Sequence, residues 1–210
     1  MTADCSDRTL HAYLDEVASG TPAPGGGSVA AIVGALAAAL GEMVVNLTPR
    51  SPDRDEGTAA LAAALATLGQ LRQRLTAAAT ADEHAYAAYR TAAALPRGDR
   101  DEKRVRTEAM QAALVQATDV PLDVAEAASN VSATLVTVAQ HGNPHLRSDA
   151  ALGALLAEAA LRGALLNVRG NAGMLRNAEK SAHYMATADR LETTGREAAA
   201  RAYSLAADRT

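Results

Sequence analysis

The chain contains no phenylalanine and no tryptophan, and only five tyrosines among its 210 residues. A core without large rings gains little apolar burial per side chain. Small side chains let helix backbones approach closely along their length, so this composition points to long packed helices. It also points to association between chains, as a way to bury more surface than one thin bundle can. Cysteine occurs once, at Cys5, which leaves no partner for a disulfide within the chain and fits a reducing cytoplasm. Strand signals are almost absent, since no convincing run alternates β-branched and polar residues. With a net charge of −4 and no Lys/Arg cluster, a nucleic-acid partner is not expected. Residues Met1 to Arg8 carry Asp4, Asp7 and Arg8 and no apolar stretch, so no secretory signal is expected. The apolar run from Val29 stops at Glu42 and is dominated by alanine and glycine. It reads as a buried core helix of a soluble protein, with no membrane partner.

What is present is helix former after helix former, and the expected fold is all-α. A first helix is predicted over Ser6 to Ala18, capped by Ser6, with Leu10, Tyr13, Leu14 and Val17 on its apolar face. A second starts at Ser28, read as its N-cap, and repeats Val29, Ile32, Leu36, Leu40, Met43 and Leu47 at steps of three and four, with small residues on its other faces. Thr48 to Gly57 reads as a surface loop. A third helix is predicted from Thr58 to Ala94 and a fourth from Asp101 to Gln140, with Pro121 in its interior. That proline should kink or interrupt the helix and free a carbonyl about one turn back. The fifth runs from Ser148, another N-cap, to Leu175 and the sixth from Ala178 to Ala207. Short loops between long helices imply an up-and-down bundle of antiparallel neighbours. No linker divides it, and residues 1–210 read as a single helical domain.

The stretch Thr21-Pro22-Ala23-Pro24-Gly25-Gly26-Gly27-Ser28 stands out. Two prolines fix φ, three glycines permit close approach, and an apolar helix follows at once. Such a helix start presents unpaired N–H groups and suits an anion; equally, it is a tight connection where only glycine fits. It lacks the lysine and spacing of a P-loop. Five histidines, His11, His84, His141, His145 and His183, include no pair set on a helix for metal binding, and no metal site is expected.

Three acidic or amide sets remain as chemical candidates. Asp82 sits among alanines on the third helix, with Tyr86 and Tyr89 following at i+4 and i+7. A carboxylate there has either a raised pKa and acid–base work, or a structural hydrogen bond at the rim. Asp149 lies in the first turn of the fifth helix, where the dipole alone explains an acid. Asn167 and Asn171 share one stripe of the same helix, as packing clasps or ligand contacts. Asp149 and Asn167 are about 27 Å apart at 1.5 Å per residue, so one chain cannot aim both at one atom: either they serve different sites, or an antiparallel partner brings opposite ends together. Asp119, Asp123 and Glu126 around Pro121 read as a solvated face.

Several stretches in order resemble the cyclodeaminase/cyclohydrolase family of folate enzymes. This family includes the C-terminal domain of formiminotransferase-cyclodeaminase and the stand-alone methenyltetrahydrofolate cyclohydrolases. The resemblance rests on Pro22-Ala-Pro-Gly-Gly-Gly-Ser-Val-Ala-Ala with Met43, Ala81-Asp82-Glu83-His84-Ala85-Tyr86, and Leu95-Pro96-Arg97 with Asp101-Glu102-Lys103. Val120-Pro121-Leu122, Gly142-Asn143 with Ser148-Asp149, and Asn167-Val168 with Asn171 complete it. It implies a helical bundle that forms a homodimer, with a folate site near the subunit interface and no cofactor besides the tetrahydrofolate substrate. Two reactions are implied: hydrolysis of 5,10-methenyltetrahydrofolate to 10-formyltetrahydrofolate, or closure of 5-formiminotetrahydrofolate with loss of ammonia. The first is preferred because no formiminotransferase domain precedes the motif.

The resemblance makes Asp82 the acid–base residue. It gives Pro24, Gly25, Gly26, Gly27, Ser28, Tyr86, Asn143, Ser148, Asp149, Asn167 and Asn171 as substrate contacts. Asp149 is the candidate acceptor for the paired donors of the pterin, and the Gly25–Ser28 turn for the glutamate carboxylates or the pterin carbonyl. The family's basic stretch ending in an aromatic residue, after the second helix, reads here Thr48-Pro49-Arg50-Ser51-Pro52-Asp53-Arg54-Asp55, which keeps Arg50 and Arg54 but no ring. Two other readings accompany these: a related enzyme on a non-folate amidine or iminium, and a non-catalytic helical scaffold.

Overall fold

The computed structural model describes residues 5–49 and 55–207; Arg50 and Arg54, with the rest of the predicted basic stretch between them, lie outside the described residues. A 3-10 turn, Cys5–Asp7, leads into six helices: α1 Leu10–Ala18, α2 Gly26–Asn46, α3 Asp55–Ala93, α4 Arg100–His141, α5 Arg147–Ala172 and α6 Ala178–Ala207. A second 3-10 turn, Pro144–Leu146, joins α4 to α5. No strand occurs among the described residues.

Helices α2 to α5 form a ring in which each packs on the next and α5 returns to α2, while α6 lies against α4 and α5. Short connections make successive helices antiparallel. The start of α2, the end of α3, the start of α4 and the end of α5 therefore meet at one end of the bundle. The start of α5 is at the other.

The core follows from the composition. Leu68, Leu75, Leu135, Leu161 and Leu165 are fully buried, as are Ala31, Ala37, Ala38, Ala154, Ala157, Ala160 and Ala164. Each buried leucine contributes about 1.5–3 kcal/mol, and the alanines set how closely the backbones approach. Gly41 marks one limit: a Cβ there would sit 2.7 Å from Leu68 Cδ1 and 2.8 Å from Leu135 Cδ2.

Several helix starts differ from the sequence expectation for identifiable reasons. Helix α1 is capped by Thr9, whose hydroxyl accepts from Ala12 N at 3.2 Å, and Ser6 belongs to the preceding turn. Its apolar face is thinner than expected: Tyr13 is buried, but Leu10 and Leu14 are exposed. Helix α2 begins at Gly26 with Gly25 as its cap, so Ser28 lies inside the first turn. Helix α4 begins at Arg100, one residue early, because Asp99 and Glu102 form a reciprocal capping box. Ser148 does not cap α5, which starts at Arg147 directly after the 3-10 turn.

Pro121 does not interrupt α4, which is continuous from Arg100 to His141. A proline in a helix interior leaves the carbonyl four residues earlier without its donor. That carbonyl is Ala117, and the side chain of Asn171 on α5 donates to it at 2.6 Å.

Candidate functional site

A cavity of about 280 Å³ opens at the bundle end where α2 begins, at the lower edge of the range for small-molecule sites. Its floor is the turn before α2, Pro22, Ala23 and Gly25, with Gly26 and Gly27 of the first turn of α2. One wall is α3, with Asp82, Tyr86 and Tyr89 at successive turns of one face. The opposite walls are Leu114 and Ala117 of α4 and Asn167 and Asn171 of α5, and Met174 closes the rim.

Asp82 meets the start of α2 head-on. Its Oδ2 accepts from the backbone N–H of Ser28 at 3.0 Å. The first amides of a helix have no acceptor in their own chain segment, so a carboxylate from α3 supplies the cap that a local side chain would otherwise give. The contact requires a glycine beside it, since a Cβ on Gly27 would overlap the Asp82 carboxylate. Ser28 is fully buried and its hydroxyl is hydrogen-bonded to the Tyr13 hydroxyl at 3.0 Å, which ties α1 to this corner.

Burial pushes the Asp82 carboxyl above the usual carboxylate value; the Ser28 N–H works against this, and the neighbouring Glu83 charge adds to it. Glu83 itself is held by Arg8, whose Nη2 donates to Glu83 Oε2 at 2.7 Å while Nη1 donates to Glu16 at 2.6 Å. A second bond in the same corner runs from Cys5 N to Thr80 Oγ1 at 2.9 Å. The segment before α2 is thus fastened to α3 directly behind Asp82.

Of the residues singled out in the sequence, Asp82, Gly25, Gly26, Gly27, Tyr86, Asn167 and Asn171 line this one cavity. Pro24 and Ser28 are buried immediately behind its floor. Asn143, Ser148 and Asp149 are at the opposite end of the bundle. Asn143 is occupied there as a clasp: its N–H donates to Thr48 Oγ1 at 2.9 Å, its amide NH2 to Leu47 O at 2.9 Å, and its Oδ1 accepts from His145 N at 3.0 Å. Asp149 occupies the first turn of α5, where the helix dipole favours an acid.

The acidic set around Pro121 is tied up in ion pairs and a phenol contact. Arg74 reaches both Asp123 and Glu126. Asp119 accepts from the Tyr184 hydroxyl at 2.5 Å, and burial together with that bond raises the phenol to about 12. Sequence reasoning missed Tyr13, Leu114, Ala117 and Met174. Only Ala117 carried a readable signal, its position four residues before Pro121. Among the described residues no group of three His, Cys, Asp or Glu could hold a metal ion.

A family model described as formiminotransferase-cyclodeaminase matches residues 9–190. The chain is 41% identical over 166 residues to a methenyltetrahydrofolate cyclohydrolase of Methylorubrum extorquens, covering 79% of this chain and 80% of that protein. It is 35% identical over 161 residues to the formimidoyltransferase-cyclodeaminase of Gallus gallus; the match covers 77% of this chain but only 30% of that longer relative. Among solved structures, a formiminotetrahydrofolate cyclodeaminase from Thermotoga maritima superposes with a TM-score of 0.85 at 26% identity, covering 95% of this chain and 96% of that one.

Proposed function

This chain belongs to the formiminotransferase-cyclodeaminase family, and we propose that it is a folate one-carbon enzyme that hydrolyses 5,10-methenyltetrahydrofolate to 10-formyltetrahydrofolate. The observation that carries this reading is the Asp82 carboxylate. It is mostly buried at the head of a cavity, held by one backbone donor, with its proton affinity raised. The cyclohydrolase of Methylorubrum extorquens, similar over four-fifths of both chains, supports this choice of reaction.

The chemistry needs one group that both takes and gives a proton near neutral pH. Water adds to the methenyl carbon between N5 and N10, and Asp82 takes the proton that the water loses. The product is a tetrahedral carbinolamine. The bond from that carbon to N5 then breaks as Asp82 returns its proton to N5. The hydroxyl loses its proton as the formyl carbonyl forms on N10. The sum is one water consumed and one proton released. The ionised carboxylate also favours the cationic methenyl group in the ground state, and Tyr86 and Tyr89 offer ring faces beside it.

The similarity to cyclodeaminases from Gallus gallus and Thermotoga maritima supports a second reading with the same site. There N10 adds to the protonated formimino carbon and gives up its proton to Asp82, which passes it to the departing nitrogen; that nitrogen leaves as ammonia and the methenyl cation remains. Absorbance decay of 5,10-methenyltetrahydrofolate with wild-type protein and with Asp82→Asn separates the two. Decay by the wild type and slow decay by the variant is the expected result. No decay above buffer, together with ammonia release from 5-formiminotetrahydrofolate, would replace hydrolysis by the second reaction.

The proposed working form is a cytoplasmic homodimer. Leu36 of α2 and Leu152, Leu155 and Leu166 of α5 are large apolar side chains left exposed on two helices that pack side by side. These helices are long and apolar enough to cross a membrane, and half of each apolar window is buried inside the bundle. A second copy covering the other half suits this face. Sedimentation analysis with Leu155→Glu tests it, the expected result being dissociation to monomer.

A further inference from the structure

The two asparagines of α5 have their amides fixed in one sense. Only an NH2 can donate to a carbonyl, so each partner sets the orientation. Asn167 Nδ2 donates to Gly163 O at 3.0 Å, and Asn171 Nδ2 donates to Ala117 O at 2.6 Å. Neither Oδ1 receives a donor from a described residue, and no buried side-chain N or O among the described residues lacks a partner. Both oxygens are therefore open, on residues that line the cavity. The same reasoning leaves Asp82 Oδ1 open while Oδ2 is held by Ser28. On the floor, the amides of Gly26 and Gly27 belong to the first turn of α2, where no helical carbonyl can reach them. The cavity presents acceptors along α5, donors at the floor and a carboxylate next to those donors.

We infer that this arrangement reads one ring edge in the order acceptor, donor, donor. A 4-oxo group lies on the amides of Gly26 and Gly27, and the ring N3–H and 2-amino group lie on Oδ1 of Asn167 and Asn171. The inference rests on the folate reading and deepens it, because the 2-amino-4-oxo ring of a pterin carries these three groups consecutively. N5 stands beside the 4-oxo group in that ring system, so the one-carbon bridge emerges on the carboxylate side of the floor. The protein has the same order. The Gly27 backbone abuts the Asp82 carboxylate, and a Cβ on Gly26 would come 3.9 Å from Asn167 Nδ2. Within one chain it is the asparagine pair, and not Asp149 at the far end of α5, that stands at this ring edge.

The test compares kcat/KM for 5,10-methenyltetrahydrofolate and its N3-methyl analogue, which lacks the N3–H donor assigned to Asn167, in wild type, Asn167→Leu and Asn167→Asp. Gly163 O already accepts the backbone N–H of Asn167 in an α-helix, so neither substitution strips a needed bond from the fold. The wild type is expected to prefer the N3–H compound about tenfold or more, because the analogue leaves the Asn167 acceptor unpaired. Asn167→Asp keeps acceptor oxygens and should keep the preference; Asn167→Leu should reduce it to within about twofold. Where a variant turns over too slowly, the ratio of the two dissociation constants, measured by calorimetry, serves in the same way. A Leu variant with the wild-type ratio, or a wild type that does not discriminate, overturns the assignment. A wild type that neither binds nor converts either compound overturns the folate reading, and this inference with it.

Discussion

Asn171 on α5 donates its amide NH2 at 2.6 Å to the backbone carbonyl of Ala117 on α4. The bond repairs the gap that Pro121 leaves one turn later in the same helix. It also locks two walls of the cavity to each other and sets which way the Asn171 amide faces.

If the bond is a repair, its worth depends on the proline. Asn171→Ala should cost about 1–2 kcal/mol of stability, the usual penalty for stranding a half-buried acceptor. In a Pro121→Ala background, residue 121 supplies its own N–H and the cost should shrink to a few tenths of a kcal/mol. Denaturant unfolding of the two single variants and the double variant measures this coupling. Equal costs in both backgrounds would remove the proposed link.

Asp82 shows opposite demands of stability and chemistry. Its proton affinity is raised in the folded state mainly by burial. A raised carboxyl pKa means that the native state holds its proton more tightly than the unfolded chain. The stability this contributes is present at low pH and is lost as pH rises through the raised value. At neutral pH the group is ionised at a cost, so Asp82→Asn should melt at the wild-type temperature or above it. That advantage should vanish once pH falls below the ordinary carboxylate range. Activity should behave in the reverse sense, falling about 10²–10⁴-fold in the variant. Melting curves at pH 3 and pH 7 beside turnover rates check both halves.

The Arg8–Glu83 pair should tune that carboxyl from behind. Glu83 raises the Asp82 pKa by its charge, and Arg8 holds Glu83 by a two-pronged ion pair. Arg8→Gln should leave the Glu83 charge less compensated and move the acid limb of the pH–rate profile to higher pH. Glu83→Gln should move it lower. Shifts of the same sign in the two variants would contradict this account.

Gly27 and Gly20 make a matched contrast on either side of the proline turn. A methyl group at Gly27 overlaps the Asp82 carboxylate, whereas one at Gly20 meets nothing within 4 Å. Gly27→Ala should displace the carboxylate and lower kcat/KM by roughly 10²-fold, the usual effect of a misplacement near 1 Å. Gly20→Ala should be close to wild type in rate and in melting temperature.

In α2 the small residues face the core, while Leu36 and Leu47 of the expected apolar stripe are exposed; the helices themselves were legible because a chain without Phe or Trp can build little else from so much alanine. The grouping of Asp82 with Tyr86 was legible for the same reason, being one face of one helix. The freed carbonyl before Pro121 could be foreseen, but not its partner, since 54 residues separate Ala117 from Asn171. Ser28 looked like a cap because serine at a helix start usually is one. The sequence could not reveal that a carboxylate from another helix takes over the capping, leaving the hydroxyl for Tyr13. Asn143, which the resemblance offered as a substrate contact, sits at the opposite end of the bundle from the cavity. Its three polar groups are in fact consumed by Thr48, Leu47 and His145.

The cavity takes its lining from Pro22 through Met174, with pieces from the turn before α2 and from four different helices. No contiguous peptide of this chain carries more than one wall. Catalytic competence is therefore tied to closure of the whole ring, and it should disappear in step with global unfolding rather than ahead of it. Turnover becomes a sensitive gauge of the native population, and a fragment or partly assembled intermediate has nothing with which to hold a substrate.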